Sequence, residues 1–195
     1  FYYAPIAVKE GTQFRARVPD AGGVAPSREF RGAQRAAFVV RVNIGHRRDI
    51  EQACLAAIGQ ARSEIVIANA YFFPGRTFRR ALMEAAGRGV RVILLLQGKV
   101  EYVLQHYASR ALYGAFLDAG IEIHEYHKSL MHAKVAVVDR HWATVGSSNI
   151  DPFSLLLARE ANVVIEDDGF AGELRTSLLA AIAEGAAQVR RESWK

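Results

Sequence analysis

The chain has 195 residues, 51% hydrophobic and 10% aromatic, which suits one domain with a sizeable core and excludes a disordered chain. A net charge of +5 and a pI near 9.6 favour anionic partners (phospholipid head groups, an anionic membrane surface or nucleic acid) without ranking the three. One cysteine, Cys54, excludes a disulfide framework and reads as a small buried apolar residue, in keeping with a reducing interior.

Taken in order, the chain opens on Phe1-Tyr2-Tyr3-Ala4-Pro5, which has neither the basic region nor the apolar core of a signal peptide. The missing initiator methionine reads as a fragment, a processed form or a trimmed chain. No apolar run approaches the roughly eighteen residues of a membrane span, so any membrane association is expected to be peripheral. Residues 1–36 read as a linker or partly ordered segment, since Pro5, Pro19 and Pro26 alternate with Gly11, Gly22, Gly23 and Gly32 and no period persists. Residues 37–195 read as one domain. Phe38 to Val42 predicts a strand, Arg48 to Arg62 an amphipathic helix, and Glu64 to Tyr71 a buried strand. Phe78 to Arg88 predicts a helix, Val90 to Gln97 a strand, Glu101 to Gly120 a helix and Ile121 to Tyr126 a strand. A hairpin follows, then a strand over Ala161 to Ile165 and a closing helix over Phe170 to Arg191. This alternation argues an α/β layered domain whose sheet is mixed and mostly parallel.

The chemistry lies between Leu130 and Asn162. His132, Lys134 and Asp139 are spaced H-x-K-x4-D, Gly146-Ser147-Ser148-Asn149 follows after six residues, and Glu160 stands eleven after Asn149. Val135 to Val138 reads as a buried strand, whose alternation puts His132 and Lys134 on one face and Ala133 on the other. An imidazole beside an ammonium makes a poor core and a good phosphate receptor: lysine neutralises oxygens, and histidine attacks phosphorus or moves protons. Ala143 to Val145 reads as the return strand of a hairpin turning at Asp139-Arg140-His141. It delivers Gly146, where backbone can approach a ligand, and Asn149, whose amide can donate to a phosphoryl oxygen. Glu160 is a candidate acceptor for the second ring N–H of His132.

Sites in open α/β sheets gather at the carboxyl ends of strands, so Asn69, Tyr71 and Gln97-Gly98-Lys99 are expected pocket walls. For Asn69 and Tyr71, substrate contact and satisfaction of the strand end stand equally open. Phe72, Phe73 and Leu155-Leu156-Leu157 read as core packing in preference to acyl-chain or bilayer contact, and Asp151 and Arg159 as supports of the loop after Asn149. His124, His127 and His132 span a strand and a turn and include Lys134 among their neighbours, which argues against a metal site. With no GxGxxG, Walker A loop or nucleophile elbow, nucleotide cofactors and serine hydrolase chemistry have no support.

On these residues the chain resembles the phospholipase D superfamily through its HKD motif. Trp142 to Pro152, with Ala68 to Gly75 upstream, resembles bacterial cardiolipin synthases of the B type, and the likeness runs from about Phe38 to the C-terminus. The resemblance implies a phosphatidyltransferase that works through a covalent phosphohistidine on a phospholipid such as phosphatidylglycerol, with no metal or other cofactor. It also implies two HKD motifs meeting across a pseudo-twofold axis, one histidine attacking phosphorus and the other protonating the leaving group. This chain has one motif and matches a C-terminal half, so the second is expected from a missing N-terminal part or from a homodimer. By the same resemblance His132 is nucleophile or general acid, and Lys134 and Asn149 hold non-bridging oxygens. Ser147 and Glu160 steady the histidine, and Asp139 locks the hairpin. The implied location is the bacterial inner membrane, peripheral and on the cytoplasmic face. Two alternatives stand beside this: a single-motif phosphodiesterase or nuclease acting as a symmetric dimer on nucleic acid, and an inert isolated half.

Overall fold

A computed structural model describes residues 34–41, 48–100, 103–151 and 159–194. The order is β1 (Arg35–Arg41), α1 (Asp49–Gln60), β2 (Glu64–Asn69), α2 (Arg76–Gly87), β3 (Arg91–Gln97), α3 (Val103–Arg110), α4 (Tyr113–Asp118), β4 (Glu122–Tyr126), β5 (Lys134–Val138), β6 (Trp142–Gly146), β7 (Glu160–Glu166), α5 (Asp168–Gly185) and β8 (Ala186–Val189). β1 therefore begins inside the segment read as linker; most of that segment lies outside the described residues.

β2 and β3 are nearly continuous apolar runs, as strands covered on both faces must be. Their alternate side chains go to opposite layers. Ile65, Ile67, Val92, Leu94 and Leu96 pack with Cys54 and Ile58 of α1, Phe78 and Leu82 of α2, and Tyr113 and Phe116 of α4. Val66, Ala68, Ile93 and Leu95 pack with Ala171 and Leu178 of α5. Each such Ile or Leu contributes about 1.5–3 kcal/mol. The result is three layers, helix on sheet on helix.

The strand order is β1-β7-β6-β5-β2-β3-β4-β8. The α/β class agrees with the sequence, but the expected mostly parallel sheet is corrected. Only β2–β3 and β3–β4 are parallel, and the five other pairs are antiparallel. Parallel neighbours need a long crossover, and β5 and β6 are joined by a three-residue turn. The β5-β6-β7 group also lies between β1 and β2, so the crossover through α1 joins strands that are not neighbours.

Two helix boundaries differ as well. The helix read over 101–120 is two helices, separated where the Leu112 N–H tightens onto the Ser109 carbonyl at 3.1 Å, and the bend turns Tyr113 and Phe116 into the core. The closing helix stops at Gly185, and the next four residues pair antiparallel with β4 as β8, covering an edge that would otherwise leave ladder groups unpaired. At its start, Asp167 accepts from the Phe170 N–H at 2.7 Å, an N-cap that sets α5 off at residue 168. The pairing directions bring the carboxyl ends of β1, β2, β3, β4 and β6, and the amino ends of β5, β7 and β8, to one edge of the sheet.

Candidate active site

At that edge β5 begins with Lys134, one strand across from Asn69 in register. Ala133 continues the ladder, its carbonyl accepting the Ala70 N–H at 2.9 Å, and its side chain packs on the α5 layer. Lys134 points the opposite way, is 8% exposed, and its Nζ donates to the His132 carbonyl at 3.2 Å. The apolar β-branched run behind it supplies the rigid strand that holds this ammonium beside the histidine. His132 precedes the strand, so pleat alternation does not set its direction, contrary to the sequence expectation. Its ring is exposed and meets Tyr71 edge-on, with centroids 6.1 Å apart at 78°.

The Gly146-Ser147-Ser148-Asn149 loop is fixed from both sides. The Ile150 N–H donates to the Asn69 carboxamide at 3.3 Å, and the Phe73 N–H to the Ile150 carbonyl at 2.8 Å. From the other side, Asn162 accepts the Ser148 N–H at 3.4 Å and donates to the Thr144 hydroxyl at 3.0 Å. Lys134, Asn69, Asn149, Ser148, Thr144 and Asn162 line one cavity of about 20 Å³, room for a water molecule and not for a phosphate.

Two expected contacts take a different form. The Glu160 carboxylate accepts from the Ser147 hydroxyl, which itself accepts the Ala161 N–H at 3.1 Å. Glu160 thus secures the loop to β7. Among the described residues the Glu160 carboxylate is seen bonded to Ser147 and not to the His132 ring. Asp139 sits at the opposite end of β5. It is held with Arg140 at positive φ (51° and 56°), and its carboxylate accepts the N–H groups of Arg62, Ser63 and Glu64 at 2.7, 2.8 and 2.9 Å and the Ser63 hydroxyl at 2.8 Å. It locks the entry to β2, whereas the sequence reading has it lock its own hairpin.

Burial raises the Asp139 carboxyl, and the hydrogen bonds from Glu64, Ser63 and Arg62 outweigh it, so the group lies below the usual carboxylate range. A depressed carboxyl contributes stability above its unfolded value, about 3.9, and loses it as pH falls through the folded value. Asp139→Asn keeps the left-handed turn and removes the charge. It should cost about 1–2 kcal/mol at neutral pH, and the difference from wild type should vanish in acid. Denaturant melts at two pH values check this.

Thr144 and Asn162 escaped the sequence reading as site residues; both are buried polar groups, as are Ser148 of the Gly146-Ser147-Ser148-Asn149 loop and Asp151, read as a support of that loop, at 5% and 4% exposure. The available signal was a polar side chain on the covered face of an apolar strand, as with Asn162 inside Ala161 to Ile165. Phe72 is in the core and Phe73 is 36% exposed, while Leu155 to Leu157 lie outside the described residues. His124 faces Glu122 at 3.6 Å and His127 faces Glu125 at 3.8 Å; among the described residues no three metal-ligating side chains cluster. Burial, with Glu51 adding to it, pushes the Cys54 thiol up to about 12, which keeps it protonated beneath α1.

Fold and site together define a phospholipase D-like domain. Residues 54–181 match the family described as cardiolipin synthase, PLD-like domain, and the chain belongs to that family. It is 47% identical over 158 residues to cardiolipin synthase B of Escherichia coli strain K12, covering 81% of this chain and 38% of that protein. Cardiolipin synthase A of Erwinia tasmaniensis is 37% identical over 125 residues, 64% of this chain and 26% of that protein. The chain thus spans well under half the length of these relatives. Among solved structures, Nuc from Salmonella typhimurium, a phospholipase D family member, superposes with a TM-score of 0.64 at 23% identity, covering 78% of this chain and 99% of that one. Phosphatidylserine synthase of Haemophilus influenzae gives a TM-score of 0.68 at 13% identity, with coverages of 86% and 43%. These two likenesses concern the fold.

Proposed function

We propose that this domain, residues 37–195, is one active-site half of a cardiolipin-synthase-type phosphatidyltransferase acting on phospholipid phosphodiesters. The observation that carries the reading is the meeting of His132, Lys134, Tyr71, Asn69 and Asn149 at one edge of the sheet, in a chain 47% identical to a cardiolipin synthase B. In the first step a histidine ring nitrogen attacks phosphorus, the P–O bond to one alcohol breaks, and a second histidine gives that oxygen its proton. In the second step a hydroxyl of the acceptor lipid loses its proton to the same base and attacks, and the P–N bond breaks. His132 fills one of these two roles. Lys134 and Asn149 offset charge on the non-bridging oxygens as the five-coordinate transition state forms, and Ser147, Glu160 and Asn69 hold the loop in place. The partner histidine comes from another part of a longer protein or from a second copy. The substrate resembles phosphatidylglycerol, and the protein works peripherally at an anionic membrane, on the cytoplasmic face of the bacterial inner membrane.

A second reading, a single-motif phosphodiesterase acting as a symmetric dimer on nucleic acid, is favoured by one observation: the fold match covers 99% of the Nuc chain, so the likeness in fold extends over nearly all of that protein. Thin-layer assay of phosphatidylglycerol turnover beside a plasmid-nicking assay, both in EDTA, separates them. Cardiolipin formation supports the first reading and nicking the second. Silence in both, with the chain folded and paired with a second HKD half, overturns the two together.

A further inference from the structure

Gln97, the last residue of β3 and a pocket wall in the sequence reading, does not line the cavity beside Lys134. It alternates with Ile93 and Leu95 and so faces the α5 layer, where Met131 and Ala133 also pack. Its side chain is buried, at 8% exposure, and its carboxamide oxygen accepts the Met131 N–H at 3.4 Å. The other end of the same carboxamide differs: among the described residues the buried Nε2 has no hydrogen-bond partner. A buried donor left unmade costs at least as much as one neutral hydrogen bond returns, so this glutamine adds little to stability. An apolar side chain of the same length would serve the core as well. A buried polar group that the core does not require calls for another use.

The hydrogen bond it makes is next to His132. Residues 127–133 form neither helix nor strand, and the histidine is held through its neighbours. On one side the Ala133 carbonyl accepts the Ala70 N–H at 2.9 Å. At the residue itself Lys134 Nζ donates to the carbonyl at 3.2 Å, and on the other side Gln97 holds the Met131 N–H. The exit of β3 also seats the start of this loop. The Gly98 N–H donates to the Tyr126 carbonyl at 2.9 Å, and Lys99 Nζ to the Lys128 carbonyl at 3.4 Å. A Cβ at Gly98 would stand 2.4 Å from Cε1 of His127, so the strand exit lies directly against that ring. The Leu130 and His132 side chains are exposed, so packing does not fix the histidine's backbone and these hydrogen bonds do.

We propose that Gln97 is a positioning residue: through the Met131 N–H it fixes the backbone from which His132 projects. This deepens the reading above and rests on it only for the reaction that His132 serves. Gln97 itself touches no reacting atom. Misplacing a reacting group by about 1 Å can lower a rate by about a hundredfold, and it does so without weakening the hold on the lipid.

Two substitutions test it. Gln97→Met removes the acceptor at nearly constant volume, and Gln97→Glu keeps an oxygen for the Met131 N–H. In Gln97→Met the Met131 amide should exchange with deuterium about tenfold faster or more. Its kcat for lipid turnover, with the chain paired to a second HKD half, should fall by about tenfold to a hundredfold while KM holds within about threefold. The melting temperature should move by no more than about 3 °C. Gln97→Glu should restore the slow exchange and most of kcat. Unchanged kcat in Gln97→Met overturns the proposal, and so does unchanged Met131 exchange. A Gln97→Glu variant as slow as Gln97→Met overturns it too, whether it melts like wild type or melts early, since the tie to Met131 would then not be what matters. A wild type that turns over no lipid sinks the activity reading alone. Met131 exchange, with the His132 ring resonance that Gln97→Met should shift and Gln97→Glu return, still decides this proposal.

Discussion

Replacing His132 with alanine should stop phosphodiester turnover while leaving the melting temperature unchanged. The ring is exposed, and among the described residues its one aromatic contact is the edge-on approach to Tyr71, so its removal opens no core cavity. The size of the loss assigns the role. A general acid contributes about 10²–10⁴-fold, whereas removing a nucleophile in a concerted site costs nearer 10⁶. Initial rates of lipid turnover and a thermal melt on the same preparation measure both. Turnover within tenfold of wild type would remove His132 from the mechanism.

Gly146→Ala should be the most damaging single methyl in the domain. A Cβ there would stand 2.2 Å from Asn162 Oδ1 and 2.4 Å from the Ala161 carbonyl oxygen. The first could swing away only by abandoning Thr144 and Ser148; the second is backbone in a paired strand. Overpacking of this kind costs about 3 kcal/mol or more, a drop of about 6–12 °C in Tm for a domain of this size. Activity should fall with it, since the same loop carries Asn149. Gly59→Ala in α1, where an added Cβ meets nothing within 4 Å, is the control and should melt no lower than wild type.

Much of this was legible in the residues. Continuous apolar runs marked β2 and β3, and the H-x-K-x4-D spacing singled out His132 and Lys134 as candidates, which stand with Asn149 toward one sheet edge. What the sequence hid were relations set by partners distant in the chain. The pairing of β5 to β2 and of β1 to β7 depends on which strand finds an open edge, and apolar periodicity does not encode that. Ala186 to Val189 continued a helical pattern and became a strand because β4 had a free edge to fill. Asp139 reads in sequence as part of one motif with His132 and Lys134, yet it serves the far end of β5, holding residues more than seventy positions upstream. Glu160 reads as an orienting carboxylate, and in the structure it accepts from the Ser147 hydroxyl.

We propose that His132 and Lys134 together bind an anion. Titrating the chain with inorganic phosphate, while following the His132 ring and Lys134 side-chain resonances by NMR, tests that without requiring turnover. Both resonances should move along one saturation curve, and Lys134→Met should weaken it by about tenfold or more, the size of a lost charge-assisted hydrogen bond. Resonances that stay still, or an affinity that Lys134→Met leaves unchanged, would contradict it.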